Sequence, residues 1–342
     1  MRWNRNLYRL YRSAPVPPAD ATLEPALPYA NGWYLAALSH HVTPHRPLAV
    51  RIAQEDLLLT RTSNGTVRAL RPYCPHLGAH LGVMGTYQKG QVRCGFHGMT
   101  FDLTDGSCVA SPYGRTKGRL ALLPAHESGA AVWVWYSQAG TPPYFDVPDM
   151  STTGWSTPVA ATFDIATHPQ IIMENAVDEQ HFVHLHRFTH PPGEITYCGP
   201  TIKLKLRLDR SLPFGYDFRL LFDGEIHGLG LGLSNFLFPD GSRVRLIISA
   251  VPIAPWRTRF WITHSAKLKS GPASRPASWL AARIMQALVC NDVHADLPVW
   301  HFQRYQHPPR LSAGDGPIGP YRQWAQQFYE GGASSKDLQS GH

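Results

Sequence analysis

Two short loops, each holding one cysteine and one histidine, constrain the fold of this chain more than any other feature. Cys74 and His76 form the first pair, Cys94 and His97 form the second, and 17 residues separate His76 from Cys94. Apolar runs typical of β-strands surround the two pairs. Two such loops that face each other supply four metal ligands, so the sequence predicts a small β domain built around a metal site.

The ligand types favour an iron–sulfur cluster over zinc. Two cysteine thiolates on one iron and two histidine imidazoles on the other describe a Rieske [2Fe–2S] centre. Tetrahedral zinc also accepts two cysteines and two histidines. Zinc fingers usually group like ligands together, whereas each loop here holds one of each. We therefore predict that Cys74, His76, Cys94 and His97 bind one [2Fe–2S] cluster.

The neighbouring His80 and Cys108 are not counted among these ligands. His80 has the wrong spacing for the second loop and is interpreted as a loop residue, while Cys108 lacks a histidine partner and is interpreted as packing. The chain has five cysteines, an odd number, and no secretory signal at its start. This usage argues against structural disulfides and favours a reducing, cytoplasmic compartment.

Composition excludes several classes of protein. About one residue in six is glycine or proline, which suits a strand-rich fold better than a helix bundle. No apolar run reaches the roughly 18 residues of a transmembrane helix. The formal net charge of +8 is spread along the chain without a recognisable nucleic-acid module, so nucleic acid is not an expected partner.

Changes in composition divide the chain into four parts. The first residues are rich in arginine and would form a basic, amphipathic helix, suited to a packed arm, a membrane surface, an acidic protein or targeting. A Pro-rich linker over residues 140–149 separates two larger blocks. The predicted parts are a basic arm (1–30), the β domain with the metal loops (31–140), a second domain (146–330) and a C-terminal tail (331–342).

The second domain combines helices with consecutive strands. Its strands follow each other at a spacing that predicts an antiparallel sheet. The predicted strands cover 201–209, 216–223, 226–238, 243–252 and 257–266. The predicted helices cover 169–188, 276–297, where Pro298 ends the pattern, and 320–330.

A second concentration of metal-binding residues lies in the first of these helices. Iron(II) oxygenases bind the metal through two histidines and one carboxylate, which leaves one face open for dioxygen and substrate. His181 and His184 share a helix face, whereas His181 and His186 lie about 140° apart on an ideal helix. Helix geometry alone does not choose the pair. Asp292 and Asp296, on the long C-terminal helix, are the candidate carboxylates.

The first block resembles the Rieske non-haem iron oxygenases. The resemblance lies in the segments CPHLGAHLG (74–82), CGFHGMTFD (94–102), GSCV (106–109) and SPYG (111–114). Met99 is a departure, because the family usually has a tryptophan after the His-Gly pair. This substitution changes packing near the cluster but removes no ligand.

The same resemblance extends to the second domain and selects among the iron ligands. The family motif Asp-x2-His-x4-His maps onto Asp178, His181 and His186, which implies that the two histidines bind iron and that His184 is a pocket residue. This requires His186 to lie beyond a distortion or the helix end. The segment DLPVW (296–300) resembles the one that carries the acidic ligand, so the resemblance implies Asp296, with Asp292 as the fallback.

Further expectations about fold and assembly follow from the resemblance. It implies an α+β protein, with an all-β Rieske domain followed by a catalytic domain in which helices flank a large antiparallel sheet, of the helix-grip type. It also implies a head-to-tail homotrimer, in which electrons pass from His97 of one subunit through Asp178 of the next to His181. Asn175 would lie close to the iron.

Together the two sites predict the terminal oxygenase component of a multicomponent monooxygenase. Iron(II) must receive electrons singly to activate O2, and a nearby cluster can store them. No GxGxxG fingerprint is present, so NAD(P)H is expected to bind a separate partner protein. A ferredoxin, a flavin reductase or both are expected to supply the electrons.

The C-terminal segment suggests the substrate class. The segment DGPIGPYRQWAQQFY (315–329) resembles 3-ketosteroid 9α-hydroxylase oxygenases and cholesterol 7-desaturases, which implies hydroxylation or desaturation of a bulky apolar, steroid-like substrate. The apolar run 228–238 would line its pocket or form sheet core. The alternatives are an O- or N-demethylase, a natural-product tailoring oxygenase, and an electron-transfer protein with a lipid-binding domain.

Overall fold

A computed structural model describes residues 27–114, 118–189, 193–211, 217–238, 240–269 and 274–331. The described residues form two compact units, with Asn31–Ser151 in one and residues 27–30 together with those from Thr152 onward in the other. The predicted basic arm, up to residue 26, and most of the predicted tail lie outside the described residues. Among the described residues, no helix has the length and apolar character needed to cross a membrane.

Three small antiparallel sheets build the first unit, as the punctuated apolar runs predict. The sheets have the strand orders β1-β11-β10, β2-β3-β4-β9 and β5-β6-β7-β8. The strands are β1 (Gly32–Leu38), β2 (Leu48–Ile52), β3 (Glu55–Arg61), β4 (Val67–Leu70), β5 (Gly85–Gln88), β6 (Gln91–Cys94), β7 (Thr100–Asp102), β8 (Cys108–Ala110), β9 (Leu122–Leu123), β10 (Ala125–Ser128) and β11 (Ala131–Tyr136). One short helix, α1 (Leu81–Met84), precedes β5.

Hydrogen bonds hold the Pro-rich segment 140–149 along this unit. The indole of Trp33 donates to the carbonyl of Phe145 at 2.7 Å, and the indole of Trp135 donates to that of Thr141 at 2.7 Å. The hydroxyl of Ser128 donates to the carbonyl of Pro148 at 2.8 Å. Proline cannot extend a sheet through its own nitrogen, so side-chain donors fix this segment in place of a strand ladder.

A seven-stranded antiparallel sheet dominates the second unit. Its order is β12-β18-β17-β16-β15-β14-β13, so all but one pair of neighbours are consecutive hairpins. The strands are β12 (Val159–Ile165), β13 (Glu194–Cys198), β14 (Thr201–Ser211), β15 (Asp217–His227), β16 (Leu231–Leu237), β17 (Arg243–Ala254) and β18 (Arg257–Lys267). The predicted α+β fold is confirmed, with two further strands, β12 and β13, at the sheet edges.

The helices differ from the prediction in two places. The helix expected over 169–188 is two short ones, and the long helix expected to stop at Pro298 continues to Phe302. The proline is exposed, and buried Leu297 and Trp300 on either side hold this turn against the unit despite the missing hydrogen bond. The helices are α2 (Pro169–Glu174), α3 (Glu179–His184), α4 (Ser274–Phe302) and α5 (Ile318–Ala325).

Helix α4 covers one face of the sheet. Phe260 of β18 packs on Trp300, with ring centroids 5.7 Å apart, and His264 of β18 lies 2.6 Å from the amide oxygen of Gln286. Because alternate residues of a strand share a face, these contacts define the inner side of the sheet. The inner side and α4 together position the acidic residue of the candidate iron site.

Candidate metal centres

The two cysteine–histidine loops have the same backbone structure. In each loop the cysteine N–H donates to the carbonyl five residues later, Ala79 or Met99, at 2.9 and 2.8 Å. The glycine four residues after each cysteine donates back to the cysteine carbonyl. Both glycines, Gly78 and Gly98, have positive φ values, 76° and 73°, which suit a residue without a Cβ atom. The loops are therefore two tight, equivalent turns.

The cysteines and histidines of these loops differ in burial. Cys74 and Cys94 are 3% and 1% exposed within an apolar cluster, and their thiols contact each other. Burial raises the pKa of the Cys74 thiol, while N–H donors from its own loop oppose that effect. His76 and His97 lie outside the cluster, with ring centroids 4.7 Å apart. This donor set would suit a two-iron cluster, with the thiolate ligands in the interior and the imidazole ligands towards the surface.

The residues around the loops pack as the sequence suggested. Met99, where the family has tryptophan, is 4% exposed and belongs to the same apolar cluster. Cys108 packs against the edge of that cluster. His80 precedes α1 and packs edge-on against Tyr73, with ring centroids 5.6 Å apart.

Three side chains of the second unit converge on one point. The Nε2 atoms of His181 and His186 are 2.7 Å apart, and Oδ1 of Asp296 lies 3.0 and 3.2 Å from them. All three side chains are largely buried. Burial raises the pKa of Asp296, but the two histidines outweigh it and hold that pKa below its ordinary value.

The end of α3 explains how histidines five residues apart meet. The helix ends at His184, and His186 lies beyond it, where its N–H donates to the His181 carbonyl at 3.4 Å. Arg187 then adopts a positive φ of 60°, which turns the chain away. This wider turn brings the two rings together, whereas a continued helix would hold them about 140° apart. His184, the rival ligand, is exposed and lies outside the group.

Asp296 reaches the histidines from α4. The last turn of α4 is fixed to the segment after β12, because the N–H of Ala166 donates to Nδ1 of His301 at 3.1 Å. Asp292, the fallback carboxylate, is one turn earlier and does not join the group. The three residues that converge are those that the resemblance implies, and residue spacing alone left them open.

Asp178 and Asn175 occupy the turn between α2 and α3. Asp178 is the N-cap of α3, and its Oδ1 accepts from the backbone N–H of His181 at 3.1 Å. Nδ2 of Asn175 lies 3.4 Å from Nε2 of His181. Asp178 thus orients His181 through the helix backbone, and Asn175 is a polar neighbour of the convergence point.

The donor set fits a ferrous ion. Hydrogen bonding alone cannot satisfy this group, because a proton lies between only two of the three converging atoms. One divalent cation accepts a lone pair from each of the three atoms. Two histidines and one carboxylate are the facial ligand set of non-haem iron(II), which leaves positions open for other ligands. His181, His186 and Asp296 would hold that ion.

Sequence reasoning missed the residues that support α2 from outside the motif. Glu174 forms a two-point ion pair with Arg322, and Gln170 is hydrogen-bonded by Tyr329. About 150 residues separate the partners, and no local spacing signals such a contact.

Comparisons with known proteins agree with this architecture. Residues 32–126 match the Rieske [2Fe-2S] domain, and residues 134–329 match the 3-Ketosteroid 9alpha-hydroxylase C-terminal domain. A Ciona intestinalis protein named cholesterol 7-desaturase nvd 1 is 29% identical over 90% of this chain and 70% of its own length. A Rhodococcus rhodochrous protein named probable 3-ketosteroid-9-alpha-monooxygenase, oxygenase component, is 24% identical over 88% of this chain and 80% of its own length.

A solved structure shares the fold of the whole described chain. The crystal structure of dicamba monooxygenase bound to 3,6 dichlorosalicylic acid has a TM-score of 0.68 at 20% identity, and the match covers 92% of this chain and 99% of that one. The two matched domains together span both units of the chain. This chain therefore belongs to the Rieske non-haem iron oxygenases, oxidoreductases with a [2Fe–2S] cluster and a mononuclear iron, and specifically to those with the 3-ketosteroid 9alpha-hydroxylase C-terminal domain.

Proposed function

We propose that this chain is the terminal oxygenase component of a multicomponent monooxygenase that hydroxylates or desaturates a bulky, apolar, steroid-like substrate. One observation carries the proposal: the convergence of His181, His186 and Asp296 in a chain that also holds the Cys/His loops. The names of the sterol-related relatives support the substrate class. When bound, the iron would supply the site of O2 activation, with electrons from the cluster.

The residues of the chain have separate parts in this proposal. Cys74, His76, Cys94 and His97 would hold the cluster. His181, His186 and Asp296 would hold the iron, and all three side chains are largely buried. Asn175 would stay close to the metal without binding it. Asp178 would connect His181 to the histidine ligands of a cluster.

We also propose the assembly and the partners. A ferredoxin or a flavin reductase would deliver electrons from NAD(P)H, and the chains would form a head-to-tail homotrimer in which His97 of one subunit serves Asp178 of the next. None of the five cysteines is in a disulfide, which supports a reducing, cytoplasmic setting.

Coupled oxygen consumption tests the activity. The purified protein is combined with a reductase pair, NADH and single compounds from a panel of hydroxysterols, ketosteroids and polycyclic aromatics. We expect O2 uptake only with a steroid-like compound, and a product that has gained one oxygen atom or lost two hydrogen atoms by mass spectrometry. Loss of a methyl group would indicate a demethylase instead. Cluster reduction without O2 uptake for any compound would contradict the proposal.

A further inference from the structure

We propose that residues 305–329, the C-terminal brace, position α2, and that Glu174 and Arg322 are positioning residues for the candidate iron site. The inference rests on the proposed metal site. Helix α2 has six residues, too few for a stable helix in isolation, so tertiary contacts must set its position. The sheet supplies some of those contacts, and the brace adds hydrogen bonds and an ion pair from the side chains of three tyrosines and one arginine.

The tyrosines of the brace surround Gln170 in the first turn of α2. The hydroxyl of Tyr321 donates to the Gln170 carbonyl at 2.8 Å, and the hydroxyl of Tyr329 donates to its Oε1 at 2.7 Å. The Gln170 amide in turn donates to the hydroxyl of Tyr305 at 3.3 Å. Gln170 is 2% exposed, so each lost bond would leave a buried polar group without its partner.

Arg322 holds the other end of α2. Its Nε and a terminal nitrogen donate to the two carboxylate oxygens of Glu174 at 2.7 and 2.8 Å, and both side chains are about 15% exposed. The remaining nitrogen donates to the carbonyl of Gln306, and the guanidinium lies 4.7 Å above the Tyr305 ring. A planar fork is needed for these simultaneous contacts, and lysine cannot supply it.

The end of α2 that Arg322 holds leads directly into the turn beside the candidate iron site. Glu174 is its last residue, Asn175 follows with Nδ2 at 3.4 Å from Nε2 of His181, and Asp178 caps α3. The brace also passes close to this turn, since a Cβ atom added at Gly316 would lie 3.5 Å from the Val177 carbonyl oxygen. A tilt of α2 would therefore move the histidine away from Asp296.

Metal affinity separates positioning from simple stabilisation. The test compares Arg322→Lys and Glu174→Gln with Arg259→Lys, which breaks a two-point ion pair of equal geometry with Asp164, at 2.8 and 2.9 Å, on the edge of the sheet. Each full-length protein is stripped of its mononuclear iron and titrated with Fe²⁺ anaerobically. The paramagnetic signal of the reduced cluster and the melting temperature are recorded in parallel.

We expect Arg322→Lys and Glu174→Gln to weaken Fe²⁺ binding by about 10-fold, the effect typical of residues that orient metal ligands, with an unchanged cluster signal. Arg259→Lys should bind Fe²⁺ like the wild type. Wild-type affinity in both α2 variants, whatever their melting temperatures, would overturn the inference and leave the proposed function intact. A wild-type protein that binds no Fe²⁺ would overturn both.

Discussion

At the scale of single residues, three side chains from two distant parts of the chain share one point, and each is needed to complete a three-ligand site. We expect His181→Ala and Asp296→Ala to abolish turnover and to lower the iron content from about three to about two atoms per chain, while the visible absorption of the cluster stays. Elemental analysis and absorption spectra check this. His184→Ala is the matched control and should keep about three irons. Full iron content in either ligand variant would contradict the assignment.

His168 makes stability depend on pH. Its Nδ1 accepts from the N–H of Gln170 at 3.2 Å and its Nε2 donates to the Pro28 carbonyl at 3.0 Å, so the buried ring must be neutral. Burial lowers its pKa to about 4. Between the unfolded value near 6.5 and 4, the unfolded chain binds a proton that the folded chain refuses, so stability falls as pH falls, by up to about 3 kcal/mol.

Unfolding in urea at pH 7 and pH 4.5 measures this dependence. His168→Asn keeps a side chain that can cap α2 but does not titrate, so its free energy of unfolding should change less between the two pH values. Burial also lowers the pKa of His264 to about 4. The stability of the variant should therefore still decline somewhat as the pH falls. An equal fall in the free energy of unfolding between pH 7 and pH 4.5 in the wild type and the variant would show that His168 does not contribute.

Residue spacing alone could not select the ligands, and the physical reason lies in the helix end. A regular helix would favour His184 over His186 as the partner of His181. Whether the helix ends before residue 186 depends on the packing of Phe188, which is buried, and on the positive φ of Arg187. Neither is visible in local sequence. The family motif provided the choice that geometry left open.

At the scale of elements, strands were easier to predict than helix boundaries. The five predicted strands of the second unit, β14 to β18, alternate and pair with their sequence neighbours, so periodicity and turns define them. The turn between β2 and β3 has no glycine to signal it, because Ala53 and Gln54 themselves adopt the positive φ values. The helix expected over 169–188 breaks because the Asp178 side chain accepts a hydrogen bond from the His181 N–H and so caps a new helix. This cap competes with continuation of the first helix.

The role of Asp178 as a helix cap can be separated from its proposed role as a charge for electron transfer. Asparagine caps as well as aspartate, so Asp178→Asn should keep the melting temperature but slow the transfer of electrons from the reduced cluster to the iron site. Asp178→Ala should lose both, with a stability cost of about 1 kcal/mol. Single-turnover oxidation of the reduced cluster with substrate and O2, followed by absorption, gives the rate.

The outcome distinguishes the two interpretations of this carboxylate. A normal single-turnover rate in Asp178→Asn with a slow rate in Asp178→Ala would make Asp178 a structural cap only. A slow rate in both, with only the alanine variant destabilised, supports the electronic role. Glu179→Gln, in the first turn of the same helix, controls for a loss of charge near the helix N-terminus.

At the scale of the whole molecule, the surface around the cluster loops is unusually apolar. Leu77, Phe96 and Tyr113 are 66%, 56% and 69% exposed and lie next to the loop histidines in sequence or in space. Exposed apolar patches of this kind mark protein contacts. In a head-to-tail ring, the patch of each subunit would contact the catalytic unit of the next, and the cluster would serve the iron of a neighbour.

Subunit mixing tests this arrangement. Cys74→Ser removes the cluster and leaves the iron ligands, whereas His181→Ala removes the iron site and leaves the cluster, so each variant alone should be inactive. If electrons cross between subunits, coexpression of the two variants in equal amounts should restore about a quarter of wild-type activity, because only a junction with an intact cluster on one side and an intact iron site on the other is active.

Adding Leu77→Glu to both variants should abolish the restored activity and shift the light-scattering mass towards the monomer. Inactive mixed trimers would instead require the cluster and the iron of one chain to work together, and would exclude transfer from His97 to the neighbouring Asp178.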